Sequence, residues 1–177
     1  MIIKCEKDEE QTTKDVVKAK LKLKEQLGKI LVSKDGVEAV ISSNTVGKMT
    51  HGLDNTIKNG FAAKQHYEVV AKIDEIYPNA LKVLEHNSRK EGDIARIIRL
   101  GAPIDNIDGG VAYITVREAI NSGTKRRVHA IELMEIERLG EHLEAAENNP
   151  TNFPSPILYP NNIRYLQAKV KSKTKKM

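Results

Sequence analysis

Apolar residues recur at helical spacing in the first part of the chain and in strand-like runs in the second. Over residues 12–27, Val16, Ala19, Leu23 and Leu27 form one narrow stripe with lysines elsewhere, which predicts a helix that Gly28 ends. Ile30-Leu31-Val32-Ser33 reads as a short strand, and Lys34-Asp35-Gly36 is expected to open a second helix covering Val37, Val40 and Ile41. Residues 42–60 are polar and glycine-bearing, a loop of the kind that carries chemistry. Over residues 61–77, Phe61, Val69, Val70, Ile73 and Ile76 oppose Lys64, Glu68, Lys72 and Glu75, which predicts the strongest helix, stopped by Pro78-Asn79.

From residue 80 the pattern turns to β. Strands are expected over 80–86, 94–104, 111–120 and 126–137, with Asp108-Gly109-Gly110 and Asn121-Ser122-Gly123-Thr124 as turns. Without long crossovers these strands should pair as neighbours in a four-stranded antiparallel meander. In the third, Ala112, Ile114, Val116 and Ile120 alternate with Tyr113, Thr115 and Arg117. Helices should cover the first set, leaving a phenol, a hydroxyl and a guanidinium on the other face. A short acidic helix (141–148), a proline-rich extended connector (150–160) and a basic helix running into the tail complete the chain. The expected class is α+β, with an N-terminal helical extension (1–27), a central α+β domain (28–140) and a C-terminal part (141–177).

Composition narrows this picture. The chain of 177 residues has 40% hydrophobic residues, no Trp and two Phe, so the core must rest on Ile, Leu, Val and Ala. No apolar run approaches the ~18 residues that span a bilayer, the start lacks a signal-peptide pattern, and one cysteine excludes an intramolecular disulfide. The expectation is a cytoplasmic protein, or one delivered into a target cell, with no membrane partner. The net charge of +5 comes from the end: residues 164–177 hold six Lys or Arg and no acid, whereas residues 30–163 carry a net of −3. Such a tail confers salt-sensitive affinity for phosphates. Arg89, Lys90, Arg126, Lys171 and Lys173 are the candidate nucleic-acid contacts.

Phosphate-loop, dinucleotide, zinc-protease and nucleophile-elbow motifs are absent. Histidines are the most suggestive groups because imidazole titrates near neutrality: His51 in the glycine-bearing loop beside Lys48, His66 within the strong helix, and His86 and His129 on strands. Metal-free RNA cleavage needs a group to take the 2′-OH proton, a group to protonate the leaving 5′-oxygen, and a cation on the phosphorane. His51, His66, Arg99, Thr115 and Arg117 supply that kit, with no metal and no cofactor.

Ile97-Ile98-Arg99-Leu100-Gly101-Ala102-Pro103-Ile104, the Asp-Gly-Gly turn, Ala112-Tyr113-Ile114-Thr115-Val116-Arg117-Glu118 and the final run from Val128 to Glu137 carry a resemblance. They are similar to the phage-associated members of the Barnase–EndoU–colicin–RelE-like nuclease superfold, found in large polyvalent proteins of phages and conjugative elements and in related toxins. Gly28-Lys29-Ile30-Leu31-Val32-Ser33 looks like that family's opening strand, and the likeness covers about residues 28–137. The resemblance implies a ribonuclease superfold-like domain and a toxin or mobile-element effector. Its partners would be RNA, tRNA included, and a cognate immunity or antitoxin protein. It points to Arg99, Thr115, Arg117 and Glu118 on strands and to His66 on the helix, facing the open end of the sheet. Two positions depart from the pattern: Ala39, where relatives often have histidine, and Leu100-Gly101, where they have an aromatic pair. These departures leave room for His51 to substitute or for a non-catalytic nucleic-acid- or protein-binding module. Glu135-Ile136-Glu137, with Arg96 or Arg99, also has the form used by ADP-ribosyltransferases.

Overall fold

The computed structural model describes residues 2–87, 94–105, 107, 110–120, 127–138 and 157–174. Its elements run α1 (Ile2–Glu25), β1 (Ile30–Val32), β2 (Glu38–Val40), α2 (Ser43–Gly47), α3 (Leu53–Lys58), α4 (Ala63–Ala71) and α5 (Ile73–Ile76). After a 3-10 turn (Tyr77–Asn79) come β3 (Leu81–Asn87), β4 (Ile94–Pro103), β5 (Gly110–Ile120), β6 (Arg127–Arg138), β7 (Ile157–Leu158) and α6 (Pro160–Thr174). The class is α+β, and β3 to β6 form the expected antiparallel meander.

Three further strands enlarge it to a seven-stranded sheet ordered β1-β2-β6-β5-β4-β3-β7. The helix expected after Gly36 is instead β2. Gly36 takes a φ of 77° and its N–H donates to the Ser33 carbonyl, a tight reversal that suits glycine. The returning chain pairs antiparallel with β1 and touches β6 through one parallel pair, Val40 with Ala130. Val37, Ala39 and Ile41 are buried at a period of two, the strand period rather than the helical one. At the other edge, Ile157 and Leu158 pair with β3, so the end of the proline-rich connector is strand. The acidic helix expected over 141–148 lies outside the described residues.

The glycine-bearing segment 42–60 folds into α2 and α3. Ser42 and Thr45 cap α2 reciprocally, each hydroxyl accepting from the other's backbone N–H. These two short helices lie along β6 beyond its contact with β2. Thr45 Oγ1 donates to the Ile131 carbonyl at 2.7 Å, and the Ile136 N–H donates to Thr56 Oγ1 at 3.0 Å. Side-chain hydroxyls therefore satisfy part of a strand edge that has no neighbouring strand.

The main core lies between one sheet face and the long helices. Ala19 and Leu23 of α1, Tyr67 and Val70 of α4, and Ile73 and Tyr77 pack on Ile98, Leu100, Ile114, Val116, Ile131 and Met134. The helix expected as an N-terminal extension thus contributes fully buried side chains to the body. On the opposite face, Ile163, Leu166 and Val170 of α6 pack on Leu81, Val83, Val111 and Tyr113. Gly101 makes that seat possible, because a Cβ there would stand 3.0 Å from Leu166 Cδ1. No helix among the described residues is long and apolar enough to cross a membrane.

Candidate active site

Residues paired across neighbouring strands share a face, so the register assigns the functional side chains. Arg99 pairs with Thr115, Tyr113 with Glu135, and Val111 with Glu137. All of them stand on the face away from the long helices, and Arg117 follows Thr115 on it at a spacing of two. Tyr113, expected to be presented to a ligand, is instead 1% exposed, because α6 covers that end of the face. Thr115 and Arg117 remain half-buried.

At the covered end, Arg99 reaches across the Tyr113 ring, its guanidinium carbon 4.7 Å from the ring centre. Its Nη2 donates to Glu135 Oε1 and to Glu137 Oε1, at 2.5 Å each. Both glutamates are 2% exposed. One guanidinium cannot neutralise two buried carboxylates, so one of them keeps its proton. Burial pushes both upward. For Glu135 the attraction of Arg99 and the Asn55 amide, which donates to Oε2 at 2.8 Å, outweigh burial and hold it below the ordinary range. Glu137 is raised to about 7, by burial first and then by Glu135, which accepts its proton and repels its charge. The pair titrates as a unit whose second proton leaves near neutrality. Burial also pushes the Tyr113 phenol up to about 12.

At the open end, Arg117 Nη1 lies 3.4 Å from Glu132 Oε1, and Lys48, at the C-terminus of α2, pairs with the same oxygen. Thr115 stands between the two groups. The face therefore carries a proton-holding glutamate pair at one end and two half-exposed cations around one carboxylate at the other.

The histidines fall elsewhere than expected. His66 is 1% exposed, its Nε2 2.8 Å from the Met49 carbonyl and its Nδ1 3.1 Å from Thr56 Oγ1. With the proton on Nε2, both nitrogens are engaged. Burial lowers its pKa, against the opposing pull of the Met49 bond and Glu135, so the ring is neutral. His66 does not face the open end of the sheet; it fixes Thr56, which in turn holds the Ile136 N–H between the two glutamates. His51 is exposed in the turn between α2 and α3, flanked by Lys48 and Asn55, which both touch the site. Glu118, which the resemblance placed on the functional face, is fully buried on the helix-covered one. There Arg96 Nη2 donates to it at 2.7 Å and His129 Nε2 lies 2.7 Å away, while Arg96 Nη1 also meets Glu85. Of the candidate nucleic-acid contacts, Lys171 is exposed on α6. Arg89, Lys90, Arg126 and the Lys173 side chain lie outside the described residues.

Sequence reasoning noted the Glu135-x-Glu137 pattern but did not join it to the Thr115 face. The signal was present: Met134 and Ile136 are the apolar partners in the alternation of β6, which assigns Glu135 and Glu137 to the opposite side. Asn55 and Glu132 carried no such signal.

The fold and this face define an α+β domain with a helical layer on one side of an antiparallel meander and a polar, charge-bearing surface on the other. A sequence model described as Large polyvalent protein-associated domain 3 matches residues 10–128. The chain belongs to that family of domains, as the resemblance implied. No curated protein and no solved structure matches it. The family match takes in Arg99, Thr115 and Arg117; Glu132, Glu135 and Glu137 lie beyond its end.

Proposed function

We propose that the protein is a metal-independent endoribonuclease acting as a toxin or effector of a phage or mobile element. The observation that carries this reading is the open end of the face, where half-exposed Arg117 and Lys48 meet the Glu132 carboxylate beside Thr115. A general base must lie within hydrogen-bond reach of the proton it takes, next to the phosphate that is attacked. In this reading Glu132 takes the 2′-OH proton, and the oxygen so activated attacks the adjacent phosphorus. Arg117 and Lys48 hold the phosphate charge, Thr115 orients it, and His51 on the rim protonates the leaving 5′-oxygen. The products are a 2′,3′-cyclic phosphate and a free 5′-hydroxyl.

A second reading, a binding module of the same fold, draws on the burial of both glutamates. A carboxylate that is 2% exposed serves as well to pin Arg99, leaving Arg117 and Lys48 to bind phosphate without chemistry. Purified protein incubated with tRNA, rRNA and mRNA in EDTA separates the two. Cleavage to cyclic phosphate ends, lost in Glu132→Gln and Arg117→Ala, supports the nuclease; intact RNA with all three substrates refutes it. Transfer of label from NAD to a target protein would instead favour the ADP-ribosyltransferase alternative.

A further inference from the structure

A cavity of about 470 Å³ lies at the far end of the sheet, lined by Lys34, Lys72, Asn79, Ile104, Tyr165 and Lys169 among others. It is separate from the Arg117 end of the functional face. Tyr165 of α6 is 38% exposed, although large aromatic side chains are scarce in this chain. Lys34 Nζ donates to its hydroxyl at 2.8 Å and stands 4.2 Å from its ring centre; Lys169 Nζ stands 5.5 Å from the same centre. Two ammonium groups thus flank one aromatic ring, in a cavity that Lys72 and Asn79 also line, against Glu75 and Asp105. Exposed Arg164 and Lys171 extend the positive track along α6.

Aromatic rings interleaved with cations are how proteins follow single-stranded nucleic acid without reading its sequence: the ring meets a base and the ammonium groups meet backbone phosphates. A cavity of this size accommodates one nucleotide unit. We infer that this cavity is a subsite for one nucleotide of a single-stranded polynucleotide, remote from the bond that is cut, with Tyr165 against the base and Lys34, Lys72 and Lys169 around the phosphate. The inference takes its substrate class from the nuclease reading, but it concerns binding alone.

The test is fluorescence anisotropy of the full chain with a labelled single-stranded RNA 12-mer over a range of salt. Glu132→Gln protein serves as the background, so that cleavage does not intervene. On that background Tyr165→Ala is expected to weaken binding about tenfold. Lys72→Ala with Lys169→Ala is expected to weaken it too and to flatten the slope of log K against log salt by about 1.4, a change that a merely structural loss would not produce. An unchanged slope with unchanged affinity overturns the inference, as does the absence of RNA binding. Displacement of the 12-mer by AMP at equal concentration, or by an acidic polypeptide, overturns the polynucleotide assignment. Should the subsite variants lose binding while active protein cleaves nothing, the subsite stands and the nuclease reading falls.

Discussion

Replacing Glu137 with glutamine removes an ionisation that the fold resists near neutrality, and its effect can be worked out in advance. Burial and Glu135 raise the carboxyl to about 7 in the folded protein, from an ordinary value of 4.5. A raised carboxyl pKa means that the folded state binds the proton more tightly than the unfolded chain does. The resulting stabilisation is fully present below pH 4.5 and is lost as pH rises through 7. A shift of this size corresponds to about 3 kcal/mol between the two limits. Glu135 shifts the other way, so its contribution is present above the ordinary glutamate range and lost as pH falls below it. The two glutamate titrations occupy separate pH windows, while His66, whose pKa burial lowers, contributes stability that grows as pH rises toward the ordinary imidazole range and so opposes the Glu137 loss there.

For a domain of this length, 1 kcal/mol moves the melting temperature by roughly 2–4 °C. Melting followed by circular dichroism should show the wild-type midpoint, relative to that of Glu137→Gln, falling on the order of 4–8 °C from pH 5.5 to pH 8.5. Glutamine keeps the size and a neutral hydrogen-bonding group, so Glu137→Gln should lack this fall and melt above wild type at the higher pH. A melting temperature whose pH dependence is the same in wild type and in Glu137→Gln refutes the assignment of the shared proton.

Gly52→Ala tests the close approach of the α2–α3 turn to β6. A Cβ there would lie 1.8 Å from the Met134 carbonyl oxygen, so urea unfolding should show a loss above about 3 kcal/mol, or no folded protein. His66→Ala should cost about 3 kcal/mol through its cavity and the stranded Thr56 and Met49 groups, whereas exposed His51→Ala should stay within about 0.5 kcal/mol. If His51 protonates the leaving group, His51→Ala loses RNA cleavage at unchanged stability. Arg117→Ala should cost under about 1 kcal/mol, since its ion pair is half-exposed, while slowing cleavage about 100-fold. An equal loss of stability and activity would count against its role at the phosphate.

How much of this was legible in the chain differs from element to element. The four meander strands were readable because alternation over ten or so residues leaves little ambiguity, and β4, β5 and β6 start and end within one residue of expectation. Val37, Val40 and Ile41 were misread as one helical face: over so short a segment the helical and strand periods share Val37 and Ile41, and the burial of Ala39 with them, after the Gly36 reversal, shows the strand. The face that bears Thr115 and Arg117 was legible from the same alternation. The neutral state of His66 was not, because it follows from burial against a separate segment that carries Met49 and Thr56. Nor was the coupling of Glu135 to Glu137, which requires that Arg99, thirty-six residues upstream of Glu135, reach across an intervening strand. Helix α6 was expected to run into the tail; that it returns to bury Tyr113 is a tertiary fact.

The return of α6 explains a departure from the resemblance that otherwise looks like a loss. Where relatives carry an aromatic pair, this chain has Leu100-Gly101, and the bare backbone at Gly101 is where Leu166 sits. A Cβ at 101 would meet Leu166 Cδ1 at 3.0 Å and the γ-carbons of Val111 and Val83 at 3.4 Å. Leu166 is fully buried, so it supplies from α6 the apolar bulk that an aromatic residue would supply from the strand. If the two positions exchange volume in this way, their substitutions must be coupled. Leu166→Ala alone should cost about 2–4 kcal/mol, and Gly101→Ala alone about 1 kcal/mol from crowding. Together they should cost less than the sum by about 1 kcal/mol, because the new methyl occupies space that the shortened side chain vacates. Urea unfolding of the two single variants and the double variant measures this directly. Strictly additive losses would mean that Leu166 and Gly101 do not share the space, and that the glycine has some other cause.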